Sequence, residues 1–268
     1  MTRLRILAAL AAGAVYAVAL DLWLRFWVLV AYRDDPAKTV AAFNAAVRRW
    51  GRMMFGAARW GVGLHVSVEG SMPPPGRYLV VANHQSSLDV PLLITILDTL
   101  NLKFVAMERL RRGKPTISLV LRHGGFVCVG KRDVGEDLAA LTRFAQDVPR
   151  FDGSPVIFPA GGVERDEGAR RFFLAGIEVL RRGTRLPILP IAIDGLSNAP
   201  TIGGLSRIVG ARVTVRIFPP VGVEEVGRDP RAAYAGIEDR IYGAVAEMRA
   251  RELATALPRD TSAGRDAG

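Results

Sequence analysis

From residue 64 to residue 218 the chain alternates short apolar runs with longer helical segments, and this alternation limits its fold more than any other feature. The runs at 64–69, 78–82, 102–107, 126–129, 155–158, 188–193 and 213–218 have strand length, and most are rich in branched residues. Helical segments fall between several of them. Residues 88–100 form one. Residues 136–147 form another, with Leu138, Leu141, Phe144 and Ala145 on one side, and residues 167–182 a third, with Phe173, Ile177 and Leu180 at helical spacing. Residues 231–254 read as a long closing helix. Strands alternating with helices of this length predict an α/β fold: a mainly parallel sheet of about seven strands flanked by helices on both faces. Residues 63–256 make a single domain on this reading, with no internal repeat and no linker past residue 64, and residues 257–268 a disordered tail.

The segment ahead of that domain has a different texture. Residues 6–20 carry no charge, and the apolar stretch continues to Tyr32 with only Asp21 and Arg25 interrupting it. As a helix those 27 residues reach about 40 Å, long enough for a bilayer core. Asp21 and Arg25 stand i,i+4 and can pair on one helix face, although a pair facing lipid is expensive. Residues 1–35 are therefore expected to be a membrane anchor. It either spans as one helix or lies in the interface, held by Tyr16, Trp23, Phe26, Trp27 and Tyr32. A cleaved signal peptide is the plainer alternative, but the aromatic continuation fits a retained anchor better. Residues 36–62 predict an amphipathic helix, with Phe43, Val47, Trp50, Met54 and Ala58 on one face and Arg48, Arg49, Arg52 and Arg59 near the other. Anionic lipid suits that basic face, and so does plain solvation.

Composition narrows the function. One cysteine and three histidines exclude a disulfide framework and a structural zinc cluster. A formal charge of +10 joined to a mean hydropathy of +0.20 points to a membrane surface first. Nucleic acid is not expected, because no helix-turn-helix, zinc finger or aromatic RNA-binding strand accompanies the charge.

The chemistry concentrates in Asn83-His84-Gln85-Ser86-Ser87-Leu88-Asp89, a polar loop between an apolar strand and an apolar helix. Active sites of open α/β sheets gather at the carboxyl ends of strands, where this loop lies. Ser86 and Asp89 match a capping box that starts the helix there. If the chain turns between His84 and Asp89, the carboxylate reaches the imidazole, selects its tautomer and leaves the other nitrogen as a general base. A histidine at a strand end near an aspartate is also common in sites without chemistry. No nucleophile elbow is present, and Cys128 reads as a small buried hydrophobe, so a base without a protein nucleophile would activate the substrate's own hydroxyl. His65 reads as a strand residue of surface or packing type, and His123 as a helix end or turn.

These residues resemble the glycerolipid acyltransferase family of the lysophosphatidic-acid acyltransferase type. Its N-H-x-S-x-x-D block is met in full by Asn83, His84, Ser86 and Asp89, and its apolar, proline-centred strand by residues 186–193. The resemblance covers about residues 60–220 and implies acyl transfer to an acceptor hydroxyl from the thioester of acyl-CoA or acyl carrier protein. His84 would be the base and Asp89 its orienting partner, with no bound cofactor and no metal. It also implies oxyanion donors, for which the backbone amides at the helix start are candidates. Two blocks depart from the family. The second, usually glycine, apolar residues and arginine, is here Gly124-Gly125-Phe126-Val127-Cys128-Val129-Gly130-Lys131-Arg132, so Lys131 or Arg132 would hold an acceptor phosphate. The third, usually F-P-E-G-T-R, is Phe158-Pro159-Ala160-Gly161-Gly162-Val163, followed by Glu164 and Arg165. Its turn is expected to persist while side-chain contacts to the acceptor are lost. Gly161 and Gly162 would offer amides to an anion, leave room for a larger headgroup, or simply turn the chain.

The resemblance thus marks Asn83, Ser86, Lys131, Arg132, Phe158, Pro159, Gly161 and Gly162 as substrate-binding positions. The clusters Arg109, Arg111, Arg112, Lys114 and Arg181, Arg182 suit a phosphorylated donor or anionic lipid, or are solvated helix ends. Expected partners are membrane lipid, a lysolipid acceptor and the acyl donor. The expected location is the bacterial inner membrane with the catalytic domain on its cytoplasmic face. The acceptor is lysophosphatidic acid, another lysolipid, or a lyso-aminolipid or glycolipid; an amine acceptor is a further possibility. The rival reading is a catalytically inactive, membrane-bound lipid-binding protein of the same fold.

Overall fold

A computed structural model describes residues 2–130, 133–163 and 172–256. The chain opens with an antiparallel helical hairpin. Helix α1 (Thr2–Phe26) continues into a short π-helical stretch, Trp27–Ala31, and α2 runs Pro36–Val62. Asp35 caps α2 by accepting from the Lys38 N–H (3.0 Å), Pro36 occupies the first turn, and Gly63 ends the helix in the left-handed region (φ 71°). Small residues let the two helices close on each other: a Cβ on Gly61 would stand 2.9 Å from that of Ala9. One stripe of α1 (Ile6, Ala9, Gly13, Leu20, Leu24) is buried. Leu4, Leu7, Leu10, Val15, Val18, Leu22 and Phe26 are exposed on the rest of it. A helix of this length, with a mean hydropathy of 1.9 over an 18-residue window and an apolar outer face, is suited to lipid. The awkward charges are absorbed locally. Asp21 pairs with Arg25 (2.7 Å) and accepts the Thr116 N–H (2.8 Å), while the Thr116 hydroxyl donates to Ala17 O (2.7 Å).

The remaining elements are β1 (His65–Gly70), β2 (Leu79–Ala82), α3 (Asp89–Ile96), β3 (Leu102–Met107), α4 (Ile117–His123), β4 (Val127–Val129), α5 (Val134–Asp147), β5 (Ser154–Ile157), α6 (Leu174–Thr184), β6 (Ile188–Asp194), β7 (Arg212–Ile217), α7 (Val223–Arg228) and α8 (Pro230–Ala256). The seven strands form one sheet in the order β1-β7-β6-β2-β5-β3-β4, parallel throughout except for the antiparallel β6–β7 pair. The expected α/β architecture is therefore observed. Successive residues of β2 serve opposite faces: Val80 and Ala82 join the apolar cluster under α2 and α3, Leu79 and Val81 the cluster under α5, α6 and α8. Burial on both faces explains why β2 reads as an unbroken apolar run.

Three sequence expectations need correction. The helix drawn over 167–182 begins at Leu174, and Phe173 lies ahead of it, extended and 69% exposed. The Phe173 N–H donates to Pro159 O (2.9 Å), which ties the residue to the neighbouring loop instead of the helix; residues 167–171 lie outside the described part. Helices α4 and α7 were not foreseen, being too short to show periodicity. Arg181 and Arg182 both bind Glu178, so neither is an uncommitted anion site. That contact holds the Glu178 carboxyl down to about 2. The tail at 257–268 lies outside the described residues.

Candidate active site

β2 is the centre of the sheet, with β5 on one side and β6 on the other, so the loop after it opens where chain connections diverge to both sides. That loop carries His84, and the carboxyl-end loops of β5 and β6 converge on it.

Asp89 is the pivot. It is fully buried at the first turn of α3, and its Oδ2 accepts three hydrogen bonds: from Gln85 N (2.7 Å), Ser86 N (2.8 Å) and His84 Nδ1 (2.8 Å). An oxygen already accepting two amides makes the imidazole the donor, so Nδ1 carries the proton and Nε2 is the basic nitrogen. Asp89 Oδ1 is buried with no hydrogen-bond partner among the described residues. The capping box is half realised. The carboxylate reaches the Ser86 amide as expected, but the Ser86 hydroxyl accepts from Leu88 N (3.2 Å) and donates to Ala199 O, and the helix starts at Asp89.

The loop is pinned to β6 from the other side. Asn83 Nδ2 donates to Ile193 O (2.8 Å) and its Oδ1 accepts from Ile193 N (2.8 Å), so both polar atoms of Asn83 are spent inside the fold. Gln85, which the sequence reading passed over, donates to Asp194 Oδ1 (2.9 Å) and accepts from Leu196 N (3.2 Å). Its burial, at 2% exposure, makes these bonds obligatory, and a polar residue beside His84 at a strand end was the available signal.

The third block supplies the wall. Phe158 follows β5 and stacks on the His84 ring, centroids 4.1 Å apart and planes within 11°. The Phe158-Pro159-Ala160-Gly161 turn is closed by Gly161 N to Phe158 O (3.1 Å), with Gly161 at φ 75°. The turn thus persists without the usual side chains. The Gly161 amide is used to make it and is not offered to an anion. Gly162 lies beside Met107, whose Cε would be 3.8 Å from a Cβ there.

The amides at the helix start do not serve an oxyanion. Those of Gln85 and Ser86 bind Asp89, Ser87 N donates to Pro200 O (3.1 Å), Leu88 N to Ser86 Oγ, and Asp89 N to Ser86 O (3.0 Å). Every one is consumed in shaping the loop. Lys131, Arg132, Glu164 and Arg165 lie outside the described residues. Cys128 is buried in β4 and burial pushes its thiol pKa up, as befits an inert packing residue. His123 closes α4 and stacks on Phe43 (6.4 Å), and burial lowers its pKa; His65 is exposed on β1. No group of three or more metal-ligating side chains occurs among the described residues.

Comparison with known proteins agrees with this geometry. A family model described as acyltransferase matches residues 64–194. The mouse and human 1-acyl-sn-glycerol-3-phosphate acyltransferases alpha are each 26% identical over 215 residues, 80% of this chain and 73% and 74% of theirs. The crystal structure of the 1-acyl-sn-glycerophosphate (LPA) acyltransferase PlsC from Thermotoga maritima superposes with a TM-score of 0.68 at 22% identity, over 93% of this chain and 98% of that one. The family-model match, the convergent relatives and a His–Asp pair set as acyl transfer requires make the chain similar to the glycerolipid acyltransferases of the 1-acyl-sn-glycerol-3-phosphate acyltransferase type.

Proposed function

We propose that this membrane-associated acyltransferase moves an acyl chain from the thioester of acyl-CoA or acyl carrier protein to the hydroxyl of a lysophospholipid or related lysolipid. The observation that carries the reading is the His84–Asp89 contact of 2.8 Å, with Asp89 locked by two backbone amides. The acceptor hydroxyl gives its proton to His84 Nε2, and its oxygen attacks the thioester carbonyl. A C–O bond forms, the C–S bond breaks, and the departing thiolate takes the proton back from the imidazolium. Asp89 holds the ring in the working tautomer and stabilises the imidazolium while it exists. The curated relatives are named for 1-acyl-sn-glycerol-3-phosphate as substrate, which makes that acceptor the first to try.

Phe158, Pro159, Gly161 and Gly162 line the acceptor side in this reading. Lys131 and Arg132 meet its headgroup, on the strength of the family's second block. Asn83 and Ser86 act through the loop, because their polar atoms are engaged with β6 and with Ala199 O. The exposed apolar face of α1 supports attachment to the bacterial inner membrane, with the catalytic domain on its cytoplasmic side, where acyl-CoA and acyl carrier protein occur.

The test is transfer of labelled acyl groups, from each donor in turn, to a panel of lysolipids in detergent or liposomes, with His84→Ala beside the wild type. Transfer that disappears in the variant supports the reading, and the preferred acceptor identifies the headgroup. Absence of transfer from folded, liposome-bound protein to every acceptor would overturn it.

A further inference from the structure

A column of aromatic rings runs from the catalytic imidazole toward the membrane hairpin. His84 stacks on Phe158, Phe158 on Phe104 (6.1 Å, 26°), and Phe104 on Phe126 (6.5 Å, 11°). At its far end stands a buried lysine. Lys103 Nζ lies 5.2 Å from the Phe126 centroid and 5.5 Å from that of Phe151. The ammonium donates to Asn44 Oδ1 (2.6 Å) on α2 and to Gly124 O (2.7 Å) at the end of α4. Asn44 closes the node by donating to Phe151 O (3.2 Å).

Lys103 is 1% exposed, and the acyl-transfer chemistry has no use for it. A methionine or leucine would fill the volume without the cost of burying a charge. Burial, aided by the nearby Arg48 and opposed by Asp152, lowers its pKa to about 7, which shows how unfavourable the site is for a cation. Its bonds show what the charge does there. Gly124 O begins the turn that leads through Gly125, at φ 77°, into Phe126. The ammonium therefore sets where that turn sits and where the Phe126 ring faces. Phe126 backs Phe104, Phe104 backs Phe158, and Phe158 covers the face of His84. Asp89 holds the imidazole at Nδ1 by a hydrogen bond in the ring plane, and Phe158 bears on the face of the ring. In a close-packed interior a displacement of one ring is passed to the next.

We propose that Lys103, anchored by Asn44, is a positioning residue for acyl transfer: it aligns the Phe126–Phe104–Phe158 column against His84, so that the seating of hairpin helix α2 is read out at the general base. This rests on the reading of His84 as the base.

The experiment measures kcat, both KM values and the melting temperature of the full-length enzyme in liposomes. The variants are Lys103→Met, Asn44→Leu, Phe104→Leu and His84→Ala. Lys103→Met and Phe104→Leu are expected to melt within a few degrees of the wild type. Their kcat should nevertheless fall by about ten- to a hundredfold, the effect of a misplaced reacting group, with both KM values unchanged. Asn44→Leu should fall between them and the wild type. Folded Lys103→Met and Phe104→Leu enzymes with wild-type kcat would overturn the proposal, as would a rise in KM alone. If Lys103→Met does not fold, Phe104→Leu, which exchanges one apolar side chain for another, decides by the same criterion. Activity surviving in His84→Ala would instead refute the reading of the base.

Discussion

Asp89→Asn separates the charge of the pivot residue from its geometry. Asp89 Oδ2 accepts three hydrogen bonds, and Oδ1 is buried with no hydrogen-bond partner among the described residues. An asparagine placing its oxygen at Oδ2 keeps all three bonds and sets its NH2 where no bond existed. The fold should therefore persist, with the melting temperature within a few degrees of the wild type. What is lost is the carboxylate charge that faces the imidazolium. That attraction exists only after the proton has moved, so it stabilises the transition state and not the bound substrates. Two unit charges about 4 Å apart at an effective dielectric of about 20 attract by about 4 kcal/mol. At about 1.4 kcal/mol per decade this predicts a fall in kcat of about 10³-fold. Both KM values should remain within about threefold of the wild type, since uniform binding is untouched. Initial rates of labelled acyl transfer at saturating donor and acceptor measure this directly, with circular dichroism and thermal melting as the control for folding. A folded Asp89→Asn enzyme retaining more than about a tenth of wild-type kcat would refute the charge argument. An equal loss through KM would assign Asp89 to substrate binding.

Glu178 contributes stability at neutral pH because its Arg181 contact depresses its carboxyl to about 2. That contribution is fully present above the unfolded value of 4.5 and is lost as pH falls from there through about 2, so the stability gap between wild type and Glu178→Gln should close over that window in acid melts. Lys103 has a dependence of the same sign in an alkaline window. Its unfolded form binds a proton more tightly than its folded form, so wild-type stability should rise between pH 7 and pH 10.5, and Lys103→Met should abolish that rise in urea melts across the range. Gly125→Ala should destabilise by about 2–4 kcal/mol in chemical denaturation, because a side chain at φ 77° is strained and its Cβ would sit 2.2 Å from the Phe151 ring. Cys128 should react with iodoacetamide only on unfolding, since it is buried and its pKa is raised.

Much of this protein is written in its sequence. Unbroken apolar runs such as β2 and β6 announce strands buried on both faces, because a sheet covered on both sides hides every side chain of a strand. The i,i+5 placement of His84 and Asp89 across a strand-to-helix turn announces the pair, because so short a turn brings the two side chains together. Tertiary structure alone decided the rest, since those contacts join residues that no local period relates. Asn83 and Gln85 spend their amides on Ile193, Asp194 and Leu196, about 110 residues away, and so cannot be told from substrate ligands by spacing. The amides of residues 85–89 looked available for an oxyanion, yet the turn that builds the loop consumes them. Asp21 looked costly in an apolar helix until Thr116, 95 residues on, supplied its partner. Lys103 sits in an ordinary apolar run, and nothing in the run foretells a buried ammonium tied to α2. Local periodicity records which side of an element faces the core; which distant group waits there is settled only when the elements pack.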